Sequence, residues 1–229
     1  MSKKKQASNE NFVAVEETLS RAELFIEKNQ KKITIIVGII VLLVIAYFVY
    51  NKYYLIPKNN EAQSQMFMAE KYFGNDSVDL ALNGDGNYLG FIDIISEYKM
   101  TKSANLAKYY AGICYYKKGD YNKAIDYLKK YKSKDDLIAS MAKGVIGDAY
   151  VELQDYDKAL ENYLDAADDF DDNALTTPQL LIKAGTTCEI LKKYDKAVEI
   201  YQRIKDDFSS SPEAREIDKY IARAKSLSK

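Results

Sequence analysis

Reactive groups at neutral pH are usually histidine, an activated thiol, paired carboxylates or a glycine loop that cradles phosphate. This chain has no histidine and two cysteines, Cys114 and Cys188, each inside an apolar helical pattern that reads as buried and structural. No CxxC pair, serine elbow or phosphate-binding glycine loop occurs. An acidic run, Asp165, Asp168, Asp169, Asp171 and Asp172, lies where a helix should end; its mutual repulsion predicts a solvated loop. The stretch Asn83 to Asn87 (NGDGN) has aspartate and glycine but not the spacing or closing glutamate of a calcium loop, and predicts a tight turn or short hairpin. The sequence therefore predicts no enzyme, no catalytic residue, no cofactor and no metal site.

The elements follow from periodicity. Tyr121 opens YNKAIDYL, Tyr156 opens YDKALENYL and Tyr194 opens YDKAVEIYQ, at offsets of 35 and 38. Gly112 with Tyr115, Gly147 with Tyr150 and Gly185 with Cys188 repeat at the same offsets. Each unit predicts two helices. Gly112, Gly147, Gly185, Ala124, Ala159 and Ala197 allow close approach, while Leu128, Tyr163 and Tyr201 fill the space beside them. Polar breaks at Gly119-Asp120 and Gln154-Asp155 mark the turns. A degenerate unit precedes these: Tyr88 to Tyr98 aligns with Tyr121 to Tyr131, its first helix runs from Glu61 to Phe73, and an insertion around Asn75 to Asn87 separates the two. Ser210 and Glu213, with Pro212 between them, predict the start of a final capping helix carrying Ile217, Tyr220, Ile221 and Ala224 on one face.

Upstream lies a different solvent. Ile33 to Asn51 is free of charge, fenced by Lys31, Lys32 and Lys52, and about 28 Å long as a helix, against roughly 30 Å for a bilayer core. Tyr47, Phe48, Tyr50, Tyr53 and Tyr54 suit the membrane interface, and with thirty-two residues ahead of the span it reads as an uncleaved anchor. Basic residues favour the N-terminal side, predicting a cytoplasmic N-terminus and a translocated repeat domain. Phe12, Val15, Leu19, Ala22 and Ile26 form one amphipathic stripe in the tail. Residues 61–229 hold 24 Lys+Arg against 29 Asp+Glu, which argues against a nucleic-acid partner. The organisation is thus a tail over 1–32, a transmembrane helix over 33–51, a linker over 52–60 and repeats over 61–229. Within the last, a degenerate unit spans 61–98, three repeats span about 104–135, 139–172 and 177–208, and a capping helix spans 211–227.

With Gly147, Tyr150, Ala159, Tyr163 and Ala166 in register, the chain resembles the tetratricopeptide repeat family, although the first-helix tryptophan and closing proline are absent and Leu128 replaces an aromatic. The resemblance implies an all-α solenoid of helical hairpins behind the single transmembrane helix. It also implies a partner groove presenting Tyr109, Ile113, Tyr116, Lys117, Asp148, Val151, Glu152, Ile182, Thr186 and Glu189. Members that clamp the carboxylate terminus of cytosolic chaperones place basic and amide residues there; Tyr109, Ile113, Gly144 and Asp148 disfavour that ligand. The layout as a whole is similar to the YfgM-type family of bacterial inner-membrane proteins. That likeness implies an adaptor beside the Sec translocon, with translocon subunits, periplasmic chaperones or secreted clients as partners. A scaffold for envelope assembly or cell division shares the same sequence features, and an organelle import receptor would differ in topology.

Overall fold

The computed structural model describes the backbone of residues 3–133, 135–171 and 173–229, with side chains from residue 27 onward. Two compact units divide at Pro57 and Lys58.

The first unit is helix α1, Lys3–Tyr50, followed by a wider π-helical turn over Asn51–Leu55. From Ile35 to Val49 its large apolar side chains are 48% to 66% exposed, and among the described residues no other helix is long and apolar enough to cross a membrane. Tyr47 packs edge-on to Phe48 and Tyr50 stacks on Tyr54. The stripe of Phe12, Val15, Leu19, Ala22 and Ile26 lies outside the described side chains.

The second unit is all helix. Helix α2 (Ile56–Gly74) begins five residues before the expected Glu61, so residues 52–60, expected as a linker, are helical instead. Then come α3 (Val78–Asn83) and α4 (Phe91–Glu97), and after them the hairpins α5 (Lys102–Lys117) with α6 (Tyr121–Lys130), α7 (Asp136–Glu152) with α8 (Tyr156–Asp169), and α9 (Thr177–Ile190) with α10 (Tyr194–Asp207). A 3-10 turn over Glu213–Glu216 leads into α11, Ile217–Leu227. From α3 onward each helix packs on its chain neighbours, and α5 also touches α3 and α7, the pattern of a stacked solenoid.

Close approach is visible at the predicted glycines. A Cβ on Gly147 would lie 2.6 Å from Tyr163 Cδ1, and one on Gly112 would lie 2.8 Å from Leu128 Cδ2. Ala124, Ala159 and Ala197 are fully buried opposite them. The helix starts are capped by side chains that accept a backbone N–H: Thr101 from Ala104, Asp120 from Lys123, Asp135 from Ile138 and Asp155 from Lys158. The second helix of the third hairpin lacks such a cap because Lys193 stands where the first two hairpins have Asp120 and Asp155.

Each hairpin turn has one residue in the left-handed region, Gly119 (φ 78°), Gln154 (φ 60°) and Lys192 (φ 58°). The following N–H then reaches back to the first helix, from Asp120 to Tyr115, Asp155 to Tyr150 and Lys193 to Cys188. Only the first turn uses the residue that adopts this conformation freely. Gln154→Gly and Lys192→Gly are each expected to raise stability by about 0.5–1 kcal/mol, the left-handed strain less the extra entropy of an unfolded glycine. Urea melts of the two variants check this; lower stability would contradict it.

At NGDGN the chain makes a turn, the first of the two expected forms, through Gly84 (φ 75°) and Gly86 (φ 88°); the short helix α3 just before it was not expected. The Asp85 carboxylate ties the loop by accepting the Asn87 and Tyr88 N–H groups and the Tyr72 hydroxyl, and these bonds hold it below the usual carboxylate range. At the far end the cap is Ser211, not Ser210: its Oγ accepts from the Ala214 N–H at 3.1 Å. That shift by one residue leaves no glutamate at the reciprocal position, so a single bond replaces the expected box.

Candidate functional site

The first helices of the hairpins carry the residues assigned to the groove, and the structure distributes them between three jobs. Tyr109, Ile113 and Tyr116 on α5 are half-buried against the cluster of Ile125, Leu128, Ala142, Ile146 and Ala149, which joins the first hairpin to α7. Tyr109 also meets Tyr110 and Tyr131, and Tyr116 meets Tyr121 edge-on. These rings are part of the seam between repeats as much as part of a surface. Val151 and Ile182 do the same against the C-terminal core.

Charged members of the set have internal partners. Asp148 accepts the Tyr163 hydroxyl at 2.6 Å and pairs with Lys183 on α9 at 2.7 Å. Glu189 accepts the Tyr201 hydroxyl at 2.8 Å and pairs with Arg223 on α11 at 2.9 Å. Lys117 pairs with Asp76 and lies over the Phe73 ring. Glu152 receives the Tyr121 hydroxyl at 3.3 Å. Burial, reinforced by the carboxylate that accepts each hydroxyl, pushes the Tyr163 and Tyr201 phenols upward, so both stay protonated donors across the physiological range. Two carboxylates expected to face a partner thus also satisfy buried phenols. Sequence reasoning missed this because the hydroxyl comes from another helix, 15 residues away for Asp148 and 12 for Glu189. One signal was available: the first hairpin has Leu128 in place of the tyrosine, and its α5 has no carboxylate at the matching positions, Ile113 and Tyr116.

Of the assigned residues, Lys117, Glu152 and Thr186 are exposed. Beside the last two, on the same helices, the structure adds residues that were not assigned. A cavity of about 160 Å³ between α7 and α9 is lined by Met141, Gly144, Val145, Gln179, Leu180 and Lys183. Met141 is 46% exposed at its rim, and the missing side chain of Gly144 helps to open it. Beneath, the Ser140 hydroxyl donates to Thr176 Oγ1.

Neither cysteine is placed as a nucleophile. The Cys114 thiol is pushed up to about 12 and the Cys188 thiol is also raised, both by burial, which leaves neither nucleophilic at neutral pH. They sit in separate cores. No group of metal-ligating side chains occurs among the described residues. The acidic run is partly neutralised from within, Asp169 by Lys143 and Asp168 by Arg203, while Asp172 lies outside the described residues.

Stacked hairpins with half-buried aromatic seams and an open face on their first helices define a helical-repeat scaffold. Tetratricopeptide repeat models match residues 106–136 and 145–212, and the chain is a tetratricopeptide-repeat protein with a long apolar N-terminal helix. Two crystal structures of a kinesin light chain protein of Podosopora anserina with nearly identical TPR-like repeats superpose with a TM-score of 0.53. They cover 74% of this chain and 87% of theirs at 14% identity, a likeness of fold. No curated protein matches the chain. Scaffolds of this family typically bind other proteins and are not catalytic.

Proposed function

We propose that the chain is a single-pass adaptor of the bacterial cytoplasmic membrane, anchored by residues 33–51 with its N-terminus in the cytoplasm, and that its repeat domain binds protein partners on the other side. The observation that carries this reading is the pairing of a helix whose apolar residues are exposed from Ile35 to Val49 with a tetratricopeptide-repeat scaffold. Exposed apolar area on that scale is unfavourable in water and favourable in a bilayer. The handling of secreted chains beside the Sec translocon, with periplasmic chaperones, is the pathway we favour. Support for it is the charge bias around the span and the overall layout.

Two measurements test it. Protease added to sealed spheroplasts should digest the repeat domain and leave the N-terminal tail protected; a protected repeat domain would place it in the cytoplasm. A pull-down of the full-length protein from gently solubilised membranes should enrich translocon subunits or periplasmic chaperones over an anchor-only control, and cell-wall assembly proteins in their place would reassign the pathway. Met141→Asp should reduce that enrichment severalfold without changing the melting temperature, since Met141 stands at a cavity rim. Tyr109→Ala is a poorer probe because its ring also holds two repeats together.

A further inference from the structure

We propose that the end of the first complete hairpin, where α5 begins and α6 ends, binds a short acidic segment of a protein partner. The inference rests on the protein-binding reading above and names the chemistry of one ligand.

Charge within the repeat domain is strongly banded. Residues 99–134 carry ten lysines against two aspartates, whereas residues 61–98 carry one lysine against seven carboxylates and residues 135–229 carry thirteen basic against twenty acidic residues. Three of the lysines are neutralised inside the fold: Lys117 by Asp76, Lys118 by Asp79 and Lys123 by Asp120. All three lie toward the α5–α6 turn. Lys99, Lys102, Lys108, Lys129, Lys130 and Lys132 have no carboxylate partner among the described residues; Lys129 donates to the Tyr150 hydroxyl and Lys130 lies over the Tyr127 ring.

Antiparallel packing gathers these six at the opposite end. Asn105 Nδ2 donates to the Lys132 carbonyl at 2.6 Å, the Lys132 N–H donates back to Asn105 Oδ1 at 3.2 Å, and the Tyr109 and Tyr131 rings meet at 5.4 Å. A cavity opens on each side of this junction. One, about 300 Å³, is lined by Asn59, Gln63, Lys102, Ser103 and Leu106; the other, about 540 Å³, by Lys129, Tyr131, Lys132 and Phe170. Few carboxylates oppose the lysines. Glu70 lines the first cavity, where burial raises its pKa. Asp135 accepts the Ile138 N–H, and Asp169 is held by Lys143 beside the second cavity.

Banding selects the ligand. A uniform polyanion such as a nucleic acid or an anionic bilayer would overlap the acidic units on either side and be repelled by them. A short acidic segment fits within the basic band, with a cavity at each edge for flanking side chains and amide donors at Asn59 and Gln63.

The test uses full-length protein in neutral detergent and a short fluorescein-labelled peptide of alternating Glu and Ser, read by anisotropy. Binding should weaken roughly tenfold or more in Lys102→Glu/Lys132→Glu, and should fade as salt is raised to about 0.3 M. Lys192→Glu/Lys196→Glu, on another repeat, should bind as the parent does, and matching melting curves establish that all variants are folded. Equal binding by the parent and the Lys102/Lys132 variant overturns the proposal, as does displacement of the peptide by soluble short-chain phosphatidylglycerol at lower concentration than by unlabelled peptide. If the peptide fails to bind while the membrane pull-down still retains partners, this inference falls and the adaptor reading stands.

Discussion

Tyr201→Ala is expected to cost the repeat domain about 4 kcal/mol, the range for emptying a buried aromatic site. The ring is fully buried between α9 and α10, stands beside Tyr220 and is fixed at its hydroxyl by Glu189. Tyr201→Phe keeps the packing and gives up one hydrogen bond, and Glu189 retains Arg223; its cost should be about 1 kcal/mol. Gly185 belongs to the same contact, since a Cβ there would fall 2.6 Å from Cζ and 2.8 Å from Cδ1 of that ring. With the ring pinned at both ends, Gly185→Ala is expected to cost about 3 kcal/mol in overpacking against about 1 kcal/mol gained in helix propensity. The net, about 2 kcal/mol, lowers the melting temperature by about 4–8 °C. In the Tyr201→Ala background the clash is gone, so Gly185→Ala should become neutral or stabilising. Thermal melts of the two single variants and the double variant close the cycle, and additive losses would show that the glycine does not serve ring packing.

Gly90→Ala is the second large effect. A side chain there would be driven into the Leu82 carbonyl and the Gly84 N–H, backbone atoms that have no rotamer to give. Gly90 has an ordinary extended backbone at the start of α4, so the penalty comes from space and not from φ. The loop from Gly84 to Gly90 must open, which loosens Phe91 and Ile94 from the N-terminal core. A loss of about 3 kcal/mol is expected. Hydrogen exchange should place the damage first in residues 78–98, with α9 to α11 still protected, because a stack of this kind transmits strain only to its neighbours. Uniform loss of protection would contradict it.

The hairpins were legible in the sequence because the residues that repeat are those at closest approach: glycine on one helix, a large residue sixteen positions later, alanine between them. Their side chains have no freedom to vary without moving a helix. The degenerate unit was legible in its second helix, where Phe91, Ile94 and Tyr98 are buried, but α3 and the knot around Asp85 were not. That loop is held by a side chain bonded to nearby backbone, a solution many sequences could adopt, and it carries no period. The internal bonds of the groove residues were not legible. Helical spacing gives the face on which Asp148 and Glu189 lie, yet their partners Tyr163, Lys183, Tyr201 and Arg223 sit on other helices, and only tertiary packing shows that these carboxylates point into the fold's own bonds.

Asp148 and Glu189 each hold one bond inside their own hairpin and one to the element that follows. The inner bond is to a buried phenol and insensitive to ions; the outer one, to Lys183 or Arg223, is part-exposed and screened by salt. Ionic strength can thus weaken only the outermost tie at each junction, while the apolar core that runs without a break from α8 to α11 keeps the stack whole.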